Sequence, residues 1–222
     1  PVPGFTIPIY ADDYSSISSW ANRNKWNLAN VHDPSVAWYN GYYYMYGTDA
    51  SYGNAHEGHG HFQGKRSTDL VNWEWVGGPF YQAPTWVTDS LNAIRSRMGL
   101  AAIAKENIRY GYWAPVVRRV NVGGKDVLRM YYSIVIDNYI KTGKANTTAN
   151  FDGSWTERAF IGMCESTDPA GAVWTDKGFV TSSSSDRGKN YSRASTNDWS
   201  AYFYYNAIDP TYIVTPDGKH YL

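Results

Sequence analysis

Two aspartates stand at matching places in a repeated pattern, and positioned carboxylates are among the side chains that exchange protons with a reacting group. Asp33 belongs to Val31–Gly47, VHDPSVAWYNGYYYMYG, where an acid and a proline precede a β-prone run, Asn-Gly and a tyrosine-rich run. Asp209 belongs to Asn206–Leu222, NAIDPTYIVTPDGKHYL, where Asp217-Gly218 takes the turn position. Taken singly, an Asp-Pro pair is more often a turn or a strand cap than a catalytic site. The recurrence singles these two out. A second group, His56, Glu57, His59 and His61, has metal-ligating side chains. Its HxxHxH spacing on a glycine-rich loop is not a recognised zinc pattern and no cysteine is near, so a solvated loop or a substrate-contacting rim is the favoured reading. His32, beside Asp33, is assigned to packing and positioning rather than to ligation.

The elements that must position these residues follow from turn signals. Asn40-Gly41 between two β-prone runs predicts a hairpin, because both turn residues tolerate positive φ. KRSTDLVNWEWVGG then reads as a strand, a polar turn at Ser67-Thr68-Asp69 and an outer strand around Trp73 to Val76. The stretch from Tyr81 to Tyr112 breaks the β pattern. Thr88 or Asp89 is expected to cap a helix over Leu91, Ile94 and Met98, which Gly99 either ends or merely weakens. A second copy opens at Trp113-Ala114-Pro115, with Val116–Val120 and Val127–Ile136 flanking an NVGGKD turn. Asp137 to Arg158 and Thr181 to Ser200 read as polar loops, and CESTDPAGAVWTDKG repeats the Ser-Thr-Asp turn and the tryptophan strand. A third copy begins at Asn206.

Units of about four strands in fixed order imply the blades of a β-propeller, an all-β fold. Residues 1–30 form a lead-in segment without periodicity, and 31–222 form a partial propeller of two blades and the start of a third. Such rings typically need about 4 to 8 blades. A chain with this many open sheet edges is therefore expected to be one piece of a longer polypeptide, completed by a missing segment or a second fragment. The first residue, Pro1, is read as a trimmed start.

Composition narrows the function classes. Twenty basic residues balance twenty acidic ones, so neither nucleic acid nor an acidic membrane surface is implied, and no apolar stretch approaches a membrane span. Cys164 is the single cysteine, which rules out an intrachain disulfide. Aromatic residues make up 17% of the chain, led by 20 tyrosines and 10 tryptophans. Flat rings with polar edges suit sugar faces, and they suit β-sheets equally.

VHDPSV, the YWAP of Tyr112–Pro115, the YYSI of Tyr131–Ile134 and above all NAIDP resemble glycoside hydrolase family 43, and within it the endo-acting α-1,5-L-arabinanases. The resemblance implies a five-bladed propeller cleaving arabinan with inversion. It makes Asp33 the general base and Asp209 the acid that raises the pKa of a general-acid glutamate, a residue for which this chain has no candidate. Trp113 matches a position that stacks on arabinose, though a core tryptophan fits equally. Asn206 either hydrogen-bonds near the sugar or holds the turn. The chemistry requires no cofactor; the family's axial calcium would be ligated from outside this chain. An arabinan substrate points to a secreted or cell-envelope location. Exo-acting arabinofuranosidase or β-xylosidase activity, and a propeller that binds glycan without cleaving it, stand as alternatives. The sequence departs from the family at Val116, where an acid often follows WAP, and at Asp137, where an aromatic is expected.

Overall fold

Asn40 and Gly41 close the first hairpin, and both have the positive φ that such a turn demands, 47° and 86°. Around them β1 (Ser35–Tyr39) pairs antiparallel with β2 (Tyr42–Tyr46). The computed structural model describes residues 31–49, 60–97, 99–137, 157–183 and 206–222. In it β3 (Lys65–Ser67) and β4 (Glu74–Trp75) complete a sheet in the order β1-β2-β3-β4. The polar turn forms where the sequence places it. Ser67 Oγ accepts the backbone N–H groups of Asp69 and Leu70 at 3.1 and 2.9 Å, and Asp69 Oδ1 accepts those of Val71 and Asn72 at 2.9 and 2.7 Å. The Asn72 bonds above all hold the Asp69 carboxyl far below the usual carboxylate range.

The second sheet repeats the plan with β5 (Tyr110–Val122), β6 (Lys125–Asp137), β7 (Glu157–Asp168) and β8 (Val173–Ser182), again antiparallel and in sequence order. Its hairpin turn is Gly123-Gly124, φ 58° and 83°. Ser166 and Asp168 rebuild the polar turn, Ser166 Oγ accepting the Asp168 N–H and Asp168 Oδ1 accepting the Gly171 N–H, each at 3.0 Å. The two registers correspond: Met45 faces Lys65 and Lys65 faces Trp75 in the first sheet, while Met130 faces Cys164 and Cys164 faces Asp176 in the second. A third unit follows as the hairpin β9 (Ile213–Val214) and β10 (His220–Tyr221), turning at Asp217-Gly218 with φ 77° at the glycine.

Three expectations need correction. The helix α1 spans Thr85–Arg97, so Thr88 lies inside it, buried and hydrogen-bonded through its hydroxyl to Tyr110 Oη at 2.7 Å. The helix starts a turn earlier because Pro84, whose carbonyl accepts the Val87 N–H at 3.1 Å, leads into it and Val87 extends the buried stripe of Leu91 and Ile94. Gly99 does stop it, with φ 72°; its N–H reaches Ser96 O and the Leu100 N–H reaches Arg95 O, the paired bonds that satisfy a helix's last carbonyls. Asp137, Glu157 and Arg158 belong to strands rather than to a loop, because the β6–β7 ladder continues to Ile136 opposite Arg158 and Asp137 opposite Glu157. Thr181 and Ser182 likewise continue β8. The lead-in segment, the loops at 51–59, 138–156 and 184–205, and hence Glu57, lie outside the described residues.

The core lies between the two sheets and under α1, with Tyr39, Tyr46, Phe62, Leu91, Val117, Leu128, Met130, Tyr132 and Phe160 buried together. Fully burying one such side chain stabilises by about 1.5–3 kcal/mol. The sheets meet along β1 and β5, where Ser35 Oγ accepts the Val117 N–H at 2.9 Å. At the other end of this seam, the Tyr39 hydroxyl donates to Asp126 O at 3.0 Å. Among the described residues, no helix is long and apolar enough to cross a membrane.

Candidate active site

Asp33, Ala114 and Asp209 each precede a proline, and each has positive φ, 48°, 38° and 53°. Proline crowds the preceding residue toward extended backbone. A left-handed L-residue adds about 1–2 kcal/mol, so three such residues in register are a built feature and not a local accident. All three line one cleft of about 500 Å³, together with Val36, Val116 and Arg118. Asp33 lies just before β1, Ala114 at the bulge within β5 and Asp209 before β9.

A single hydroxyl joins the first two. Thr48 Oγ1 donates to Asp33 Oδ2 at 2.5 Å and accepts the Ala114 backbone N–H at 2.7 Å. Thr48 is itself fixed by its own N–H, which reaches His32 O at 3.0 Å. Its neighbour Gly47 packs so tightly on the His32 carbonyl that a Cβ there would stand 2.6 Å away. His32 thus positions Asp33 through backbone, with its side chain exposed. With one carboxylate oxygen held by Thr48, Asp33 stays exposed to the cleft.

Asp209 sits between two buried anchors. Ala207 packs with Val135, Ala159 and Ile161, and Tyr212 with Val116, Val120 and Val127, its ring edge-on to Tyr131 at 4.8 Å. Partial burial, and after it the charge of Asp33, raises the Asp209 carboxyl above its ordinary range.

The remaining candidates fall on either side of this cleft. The Ser183 hydroxyl donates to Asn206 Oδ1 and accepts the Ala207 N–H at 3.2 Å, so Asn206 is tied into the turn that leads to Asp209. Trp113 is half-buried against Val135, Ala159, Ile161 and Ala207; it is not among the residues that line the cleft. His61 lies in a different cleft, its Nδ1 2.6 Å from Asp49 Oδ2, while His56 and His59 lie outside the described residues. Among the described residues no three His, Cys, Asp or Glu side chains gather as an ion cage.

Three participants escaped the sequence. Thr48 ends a tyrosine run and carries no motif. Ala114 holds the acid's position in the second unit, and the signal was present in the shared X-Pro at all three unit starts. Arg118, four residues on from Ala114, is an exposed strand residue that lines the cleft, its guanidinium donating to Val117 O at 3.1 Å.

No protein-family model and no curated protein matches the chain. Among solved structures it is similar to an exo-1,5-α-L-arabinanase from a bovine ruminal metagenomic library, at 22% identity and a TM-score of 0.45, over 86% of this chain and 45% of that one. It is similar to the family 43 endo-arabinanase of Bacillus licheniformis at 20% identity and a TM-score of 0.47, with the same coverage. The family 43 protein BlXynB of the same organism matches at 19% identity and a TM-score of 0.43, over 86% of this chain and 26% of that one. The chain spans less than half the length of each of these structures.

Proposed function

We propose that the polypeptide carrying this chain is an exported, inverting glycoside hydrolase of family 43 that cleaves α-1,5-L-arabinofuranosidic bonds in arabinan. The observation that carries the reading is the shared cleft of Asp33 and Asp209, two X-Pro acids held in left-handed backbone. In this reading the two units and the hairpin are blades of a five-bladed ring. Asp33 Oδ1 takes a proton from a water whose oxygen attacks the anomeric carbon. The bond from that carbon to the leaving oxygen breaks on the opposite face, where a protonated glutamate outside this chain supplies the proton. Asp209 adds negative charge near that glutamate and so favours its protonated form.

The test of the base assignment is Asp33→Asn in the intact polypeptide. An amide cannot accept the proton, so turnover of linear arabinan falls by about 10²–10⁴-fold while arabino-oligosaccharides still bind. Retained turnover would refute it.

A further inference from the structure

A second cleft of about 410 Å³ has walls that include His61, Tyr81, Gln82, Lys105, Tyr110 and Tyr112. Its floor is rigid. The His61 ring lies flat on Tyr112, centroids 3.5 Å apart and planes 7° apart. Asp49 fixes that stack from behind, Oδ2 meeting His61 Nδ1 at 2.6 Å and Oδ1 accepting the Phe62 N–H at 2.7 Å. Lys105 is steered by its own bond to Ala83 O at 2.7 Å. At the rim Tyr81 stands 65% exposed, so its ring serves no core.

The groups that back this cleft are chain neighbours of those that back the first. Thr48, which binds Asp33, precedes Asp49, which binds His61. Tyr112 lies two residues before Ala114, and the Asp49 N–H donates to Tyr112 O at 3.0 Å, sealing the seam. Consecutive Cα atoms are about 3.8 Å apart, so Thr48 and Asp49 set the supports of the two clefts one residue apart. Aromatic faces that meet C–H surfaces, with amide and ammonium groups reaching for hydroxyls, are the chemistry of a neutral sugar ring.

We propose that this second cleft holds a further sugar residue of the same glycan chain, beyond the residues spanning the scissile bond, with Tyr81 as the side chain that grips it. The proposal rests on the arabinan reading above for its substrate class. It makes chain length a determinant of affinity, since only a chain long enough to extend from the first cleft to the second reaches Tyr81.

Tyr81→Ala in the intact polypeptide tests it. The KM for a long linear arabino-oligosaccharide rises about two- to tenfold, the scale of one aromatic contact, with kcat unchanged; the shortest hydrolysed oligosaccharide keeps its KM, and Tyr81→Phe keeps both values. Equal changes for short and long substrates, or none for either, overturn the proposal. Calorimetric titration of the Asp33→Asn protein with arabinohexaose separates this idea from the functional reading. Binding weakened by Tyr81→Ala sustains the subsite even where wild-type protein hydrolyses no arabinan, and binding indifferent to Tyr81→Ala overturns it.

Discussion

At corresponding points of the two sheets, β3 sets Lys65 between Met45 and Trp75, whereas β7 sets Cys164 between Met130 and Asp176. Both side chains are buried. Burial pushes the Lys65 ammonium down to about 8, and Nζ lies 5.1 Å from the Trp75 ring centre. Burial first, and the charges of Asp176 and Glu165 after it, push the Cys164 thiol well up. One residue on, the charges reverse: Arg66 pairs with Glu74 at 2.5 Å, while Glu165 pairs with Arg129 at 2.6 Å and Lys177 at 3.5 Å. The outer strands differ in length as well, three and two residues in the first sheet against twelve and ten in the second. What both keep is the Ser-x-Asp turn, the register and the left-handed residue before proline. The unit is thus specified by its turns and its pairing, and its interior accepts chemically opposite residues. The units differ at the X-Pro position, an acid in the first and third and an alanine in the second, and the proposed chemistry rests on that difference.

The largest effect expected from this comparison is at that position. Asp33→Asn lowers kcat by about 10²–10⁴-fold, whereas Ala114→Gly, at the matching place, leaves kcat near wild type. Comparable losses in steady-state assays of the two variants would break the distinction. Next comes Thr48→Val, which strips a hydrogen bond from both sheets at once. It costs about 1–3 kcal/mol in urea unfolding, the scale of a buried donor left unsatisfied, and lowers kcat more than it changes KM. Thr48→Ser restores both, because the hydroxyl rather than the methyl makes the bonds.

The paired interior residues predict opposite pH responses. The folded chain gives up the Lys65 proton near pH 8 and the unfolded chain near 10.5. In between, the unfolded state binds more protons, and this group makes stability rise with pH by up to about 1.4 kcal/mol per unit. Folded Cys164 keeps its proton above 9.0, where the unfolded thiol loses it, so this group makes stability fall. Urea midpoints from pH 7 to 10 should show Lys65→Met removing the rise and Cys164→Ala removing the fall. Smallest are the hairpin turns. Gly41 and Gly124 have φ of 86° and 83° with open space where a Cβ would stand, so each glycine-to-alanine change costs about 1 kcal/mol. A large inequality between them would show that the two turns are not equivalent.

Much of this plan was legible in the sequence because turns are local. Asn40-Gly41, Ser67 with Asp69 and Asp217-Gly218 announce themselves by residue type, and their geometry follows from two or three neighbours. The start of α1 was misplaced because capping chemistry pointed to Thr88, while burial of Val87 and the lead from Pro84 decided the matter. Strand ends at Asp137 and Arg158 were read as loop because polar composition outweighed a ladder whose partner lies some twenty residues away in sequence. At the site, Asp33 and Asp209 were readable from Asp-Pro in repeated context. Thr48 was not, since its value comes from two bonds, one spanning 15 residues and one spanning 66. Trp113 fitted a groove and a core position equally from its motif, and its packing with Val135, Ala159 and Ile161 belongs to tertiary structure alone.

The threonine bridge has a thermal consequence. Because one oxygen accepts from the second sheet while its hydrogen is committed to Asp33, any slip between the sheets turns the carboxylate before it disturbs a strand. Warming should therefore lower the proposed turnover before tryptophan fluorescence reports unfolding, and the lost turnover should return on cooling.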